Sequence, residues 1–295
     1  GTDRVTLTDG AGNSLLLDGV EGVTGAEGLD EVMLSDTNAA TLGIFGVEVA
    51  LGGTGNDRIH SSNADLTSIF IDGGLGNDSL LRGGGGADTV FGGDGIDRLE
   101  GQDGDDLLEG GAGADSLLGG NGADTLIGGG GADRMHGENG DDFIIGGNGD
   151  VIFANAGDDF IELDGSVDPD LGRAFIDGND GIDTVSLVGE TNTASVQRIE
   201  RVIGSAGVDE LVLSDSDNVV AFDITEISGV ETIHAQQGDD VLTITTNDTE
   251  AVFGGLGTDR VTLTDGAGNS LLLDGVEGVT GAEGLDEVML SDTNA

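Results

Sequence analysis

Seven aspartates stand nine residues apart in one unbroken run: Asp88, Asp97, Asp106, Asp115, Asp124, Asp133 and Asp142. The sequence around them reads in nines from Gly83 to Ile145: GGGGADTVF, GGDGIDRLE, GQDGDDLLE, GGAGADSLL, GGNGADTLI, GGGGADRMH and GENGDDFII. The first and fourth places are always glycine, which lets the backbone take φ > 0 and brings carbonyl groups close together. Carboxylate and carbonyl oxygens are hard donors, and a cage of them suits Ca²⁺ rather than zinc or copper. Paired acids can also do acid–base catalysis, but a carboxylate recurring at a fixed period along a chain is explained by a metal bound at every step.

The eighth place is always aliphatic or Met: Val90, Leu99, Leu108, Leu117, Leu126, Met135 and Ile144. The residues around it read as a short strand with one side chain pointing inward. One turn plus one strand is half a coil, so eighteen residues complete a coil. Residues eighteen apart then stack at about the 4.8 Å strand spacing. Asp88, Asp106, Asp124 and Asp142 fall on one edge, and Asp97, Asp115 and Asp133 on the other. Stacked bare carboxylates repel, and a calcium ion between each pair converts that repulsion into a bridge. Outlying copies add Asp57 (52–60), Asp78 (73–81), Asp159 (154–162), Asp183 (178–186) and Asp259 (254–262) as candidate metal ligands.

The run resembles the RTX, or haemolysin-type calcium-binding, repeat, whose signature is GGxGxDxUx. The resemblance is closest over 83–145 and looser over 52–162. It implies a right-handed parallel β-roll, several Ca²⁺ ions held between successive turns, and export by a type I secretion system. Two departures interrupt the pattern. Arg82 reads as an inserted residue, and GGNGDVIF at 146–153 is one residue short, which puts the neighbouring calcium sites in question.

Outside the centre the rhythm widens. Asp3, Asp30 and Asp57 lie 27 apart, with Glu21 and Glu48 nine residues before Asp30 and Asp57; Glu200 precedes Asp209, and Glu231 precedes Asp240, by the same nine. Glutamate thus occupies the aspartate slot of a degenerate nonapeptide, either as a calcium ligand or as a solvated edge charge. Runs such as Val5–Leu7, Leu211–Leu213 and Val241–Ile244 alternate as half-buried strands do. The expected fold is all-β: a parallel β-roll or β-solenoid, continuous along the chain. Residues 1–50 and 182–295 are expected to form wider coils, 51–165 the calcium roll, and 166–181 a transition, with a loop at Ser166–Arg173 around Pro169.

Composition agrees. The 295 residues include 58 glycines, one proline, nine phenylalanines and no Cys, Trp or Tyr. A broad core normally draws on large aromatics, so a thin core of Leu, Val and Ile is expected. The net charge of −49 opposes compaction unless cations neutralise it. A disordered acidic segment would lack the periodic aliphatics. No basic patch for nucleic acid is evident, disulfides and zinc–thiolate sites are excluded, no signal peptide opens the sequence, and the uncharged stretch 37–47 is too short to span a bilayer. His60, His136 and His234 are far apart and read as surface residues, no Ser–His–Asp set is apparent, and the expectation is a protein without catalytic activity.

Residues 1–39 recur unchanged as 257–295, an offset of 256. Such a copy marks tandem duplication. The first copy opens inside a glycine-rich turn, so the sequence reads as a window from a longer array. The expected role is a structural, calcium-dependent repeat of a giant secreted bacterial adhesin, surface layer or extracellular filament. Expected partners are calcium ions and neighbouring copies, with any cell-surface or substrate ligand bound through other regions. The competing readings are the carboxy-terminal calcium-binding domain of a secreted enzyme or toxin, and an ice- or glycan-binding solenoid suggested by Thr-rich runs and by GGTGND at 52–57.

Overall fold

The structure, a computed structural model, describes residues 4–6, 13–17, 22–25, 30–34, 40–62, 67–165, 172–189, 191–205, 208–213, 223–236, 240–244, 249–264, 270–281 and 287–291. Asp3, Glu21, Pro169, the 166–171 part of the expected loop, and parts of the Thr-rich runs lie outside them. Among the described residues there is no helix, and every strand pair is parallel. The protein is a parallel β-solenoid.

Contacts divide the chain into two compact units, Gly1–Gly146 and Gly147–Ala295. In the first, strands alternate between two sheets. One carries Arg4–Thr6, Gly22–Thr24, Thr41–Phe45, Arg58–His60, Leu80–Gly84, Arg98–Asp103, Ser116–Asn121 and Arg134–Asn139, and is called the first sheet. The strands between them form the second sheet. Register fixes the coil length: Thr89 lies opposite Leu107, Leu107 opposite Thr125, and Thr125 opposite Phe143, each eighteen residues on. The core is as thin as the composition implies. Val90, Leu108, Leu126 and Ile144 face Leu99, Leu117 and Met135, all fully buried. Phenylalanines sit on the outer faces, where Phe70 and Phe91 pack edge to face at 5.3 Å.

The fourth-place glycines are required by close approach. Gly113 has φ +148°, and a Cβ there would collide with the carbonyl of Gly95, one coil earlier. Any L-residue would have to push the two corners apart.

The second unit alternates in the same way, from Val151–Ala156 to Glu287–Ser291. Its coils range in length: Thr191 pairs with Val208, seventeen residues on, and Arg201 with Glu226, twenty-five on.

Two readings of the flanks and insertions are corrected. The 27-residue interval from Asp30 to Asp57 does not close a wide coil. Glu31 pairs with Val49 and Thr41 with Arg58, eighteen and seventeen residues on, so 27 residues is one and a half of these coils, while Gly22 pairs with Gly43 and Val49 with Phe70, twenty-one on. Nor is Arg82 the inserted residue. Arg82 pairs with Glu100 and Leu81 with Leu99, the ordinary eighteen-residue register. The extra residue is absorbed at Ser79–Leu80, which moves the inward slot of that repeat to Leu81, fully buried.

Candidate calcium-binding edges

The glycine turns bring the predicted aspartates into four-residue and five-residue ladders in the first unit. On one edge the backbone N–H of Asp88 donates to Oδ1 of Asp106, Asp106 to Asp124, and Asp124 to Asp142, each at 2.8 Å; Ile69 N–H donates to Asp88 above them. On the other edge Asp57 donates to Asp78, Asp78 to Asp97, Asp97 to Asp115, and Asp115 to Asp133, at 2.6–2.8 Å. The ladder therefore runs unbroken past the insertion at Ser79–Leu80. In the second unit Asp159 donates to Asp183 at 3.0 Å and Asp240 to Asp259 at 3.0 Å.

One oxygen per aspartate is used in this way. The other is the candidate ligand. All twelve predicted aspartates are buried. The Oδ2 atoms of Asp78, Asp97, Asp106, Asp115, Asp124 and Asp183 are buried and accept no hydrogen bond, an arrangement that costs free energy unless a cation satisfies it. The space beside them is kept open by the first-place glycine. A Cβ on Gly110 would lie 2.7 Å from Oδ2 of Asp115 and 2.6 Å from the carbonyl oxygen of Gly128 in the next coil. Carboxylate and carbonyl oxygens thus converge on ground that only glycine leaves free. Among the described residues no three acidic, His or Cys side chains cluster. The carboxylates are strung singly along an edge, so an ion held there would take its remaining oxygens from neighbouring groups such as the backbone carbonyls, a donor set that fits Ca²⁺.

The electrostatics agree. Burial pushes the carboxyls of Asp78, Asp106, Asp115, Asp124 and Asp183 up to about 7, helped by the neighbouring ladder carboxylates and opposed by the backbone N–H each accepts. Asp97 is raised for the same first reason. Without a counter-ion the edge is costly at neutral pH.

The RTX calcium-binding nonapeptide repeat matches in four stretches, 42–65, 82–117, 118–150 and 150–168. Residues 42–168 carry RTX calcium-binding repeats. RTX repeats of this kind bind several Ca²⁺ ions. The gap at 66–81 falls where the extra residue breaks the nine-residue phase, although Asp78 keeps its place in the ladder. No curated protein and no solved structure matches the chain.

The shortened RTX repeat at 146–153 closes differently. Asp150 is buried, and its Oδ2 accepts the N–H of Gly147 within its own turn at 2.7 Å.

The glutamates form a second kind of corner. Glu48, Glu200, Glu231 and Glu277 each accept, through Oε2, the backbone N–H of an aspartate one coil earlier: Asp30 at 2.6 Å, Asp183 at 2.8 Å, Asp209 at 2.7 Å and Asp259 at 2.7 Å. Two residues before each stands a left-handed residue, Gly46, Arg198, Gly229 or Gly275, with φ between +50° and +69°. Between them lies an aliphatic residue; Val47, Ile199 and Val230 are buried. Among the described residues no glutamate oxygen is buried without a hydrogen bond, which sets these glutamates apart from the ladder aspartates. At Arg198 a cation is built in, and its guanidinium bonds Asp177 and Asn179 (2.5 Å to the latter).

Asn192 was not legible as a slot residue. Its Oδ1 accepts from Gly165 N–H at 2.7 Å, and its backbone and side-chain N–H groups donate to Asp209 at 3.1 and 2.8 Å. Only its distance from Asp209, seventeen residues and close to one coil, could have signalled it. The histidines sit away from these edges. His60 and His136 flank buried strand residues and are lowered by burial and by nearby arginines, and His234 stacks on Phe253 at 4.8 Å.

Proposed function

We propose that the chain is a non-catalytic, calcium-folded structural repeat of a giant secreted bacterial adhesin, surface layer or extracellular filament. The supporting observation is the unchanged recurrence of 1–39 at 257–295, which adds length without adding new chemistry. The ladders supply the switch. Where calcium is scarce, buried carboxylates and a charge of −49 keep the chain open for export. Outside the cell, calcium at about millimolar level exceeds the ~10⁻⁴–10⁻³ M affinities typical of extracellular sites. At about ten times Kd each independent site contributes about 1.4 kcal/mol, so several sites decide folding.

Two measurements test this reading. Circular dichroism should show the β-signal lost in excess EGTA and restored by calcium; an unchanged spectrum overturns the switch. Fractionation of the producing culture should recover the protein at the cell surface or in the medium. Recovery in the cytosol alone overturns the extracellular role.

A further inference from the structure

The unit Gly1–Gly146 has two unlike faces. Each strand of the roll turns one side chain inward, and the places just before and just after it point outward. Every arginine of the unit lies on the first sheet, and there is no lysine. From Arg58–His60 to Arg134–Asn139 the outward places of that sheet hold Arg58, Arg82, Arg98 and Arg134, and the one acid among them, Glu100, accepts from Arg82 Nε and Arg98 Nη2, each at 2.6 Å. On the second sheet, from Val49–Gly53 to Phe143–Gly147, the outward places hold Asp72 and Glu109 and no base. Most of the others are apolar, Phe70, Phe91, Leu107 and Ile127 among them.

Register spaces the charges equally on the two faces. Arg98, Ser116 and Arg134 stand in one row across the first sheet. Asp72, Phe91 and Glu109 stand in one row across the second. In both rows the charged residues are two strand spacings apart, roughly 9.6 Å. The two rows also lie on the same side of the roll. Residues 95–97 alone join Thr89–Asp94 to Arg98–Asp103, a link too short to carry the chain back to the near end of a strand, so each corner reverses it. The place before the inward side chain on the first sheet, where Arg98 and Arg134 sit, is therefore on the same side as the place after it on the second, where Asp72 and Glu109 sit.

We propose that this unit stacks side by side with a second copy of the chain, the first sheet of one molecule on the second sheet of the next. A copy moved across the thickness of the roll and slid by one and a half coils, roughly 7 Å, brings Arg98 to Asp72 and Arg134 to Glu109 at once. Ser116 then meets Phe91 between the two pairs. The charged groups are accessible: the Arg98 side chain is 56% exposed, and Arg134 and Glu109 are exposed. Glu100 takes the Nε and Nη2 hydrogens of Arg98, two of the five donors of a guanidinium. Two first sheets would set arginine against arginine, so unlike faces meet, and such a contact repeats without closing. Calcium on the carboxylate edges lowers the repulsion between chains of charge −49. Size sets the strength. Six strands by three residues give a face of roughly 300 Å² per copy, against ~800 Å² per partner in a stable interface. One contact is weak, and tandem copies along an array multiply it.

The use of the contact, ordering arrays into a layer or bundle, rests on the structural role proposed above, but the contact itself does not. Sedimentation velocity of the full chain in saturating calcium should show association growing with concentration between about 10 μM and 1 mM. Glu109→Arg and Arg134→Glu should each weaken it about tenfold or more by setting like charges together. An equimolar mixture of the two variants should associate as the parent does, because the altered first sheet of one fits the altered second sheet of the other. Both variants should keep the calcium-dependent circular dichroism of the parent, and if one fails to fold the loss in the other carries the test. A monomer throughout that range, undiminished association of a folded variant, or a mixture of folded variants that stays apart overturns the proposal. Any of these leaves the structural role to its own EGTA and fractionation tests.

Discussion

The backbone N–H of Asp106 donates to Oδ1 of Asp124, one coil further on, at 2.8 Å. The same carboxylate keeps its Oδ2 buried with no hydrogen bond. One side chain therefore has two separable tasks, closing the backbone of the coil before it and offering an oxygen to calcium.

The two tasks can be separated by substitution. Asp124→Asn keeps an acceptor for Asp106 and loses the anionic oxygen, as Asn192 already does in its own ladder. The calcium-free protein should lose little stability, while the rise in Tm on adding calcium should shrink. Asp124→Ala also orphans the Asp106 N–H and should cost a further ~1–3 kcal/mol with or without calcium. Thermal melts of both variants in EGTA at about pH 4, where the calcium-free roll is most stable, and in calcium at neutral pH check the pair.

The calcium-free roll should be most stable in acid. Asp78, Asp106, Asp115, Asp124 and Asp183 titrate at about 7 when folded, against 3.8 for the ordinary carboxyl. Between those values the folded chain binds more protons than the unfolded one, so stability falls as pH rises. The protonated benefit is complete below about 4 and lost as pH passes about 7. Calcium-stripped protein followed by circular dichroism from pH 4 to 8 should lose β-structure as pH rises, and saturating calcium should flatten the profile. A calcium-free roll that gains structure with rising pH contradicts this.

Removing a glutamate corner should be indifferent to calcium. Glu231→Ala orphans the Asp209 N–H, now held at 2.7 Å, and should cost ~1–3 kcal/mol. The loss should be the same at half-saturating and at saturating calcium, and calcium stoichiometry by titration should not change. A drop in the number of ions bound would show that the glutamate is a ligand.

One repeat should be improvable. Gln102 stands at the second place of its nonapeptide with φ +93°, where most copies have glycine. Backbone held in sparsely populated regions costs of order 1–3 kcal/mol. Gln102→Gly should therefore raise Tm in saturating calcium, read by a melt of the β-signal.

The sequence alone determined the calcium roll, because a nine-residue period leaves little freedom. Glycine at the fourth place, aspartate at the sixth and an aliphatic at the eighth dictate a tight corner, a carboxylate and one inward side chain. The partners of Asp88, Asp97, Asp106, Asp115, Asp124 and Asp133 follow from counting eighteen. Counting failed where coil length varies. Asp30 and Asp57, 27 residues apart, look like neighbours on one edge, yet the fold puts Glu48 next to Asp30. Tertiary structure also decided that the residue inserted before Gly83 is absorbed at Ser79–Leu80, with Leu81 fully buried and Arg82 paired with Glu100. The place of Asn192 beside Asp209 depends on register between strands separated by loops of unequal length. A linear sequence does not encode which residues such loops bring side by side; packing of the thin core decides it.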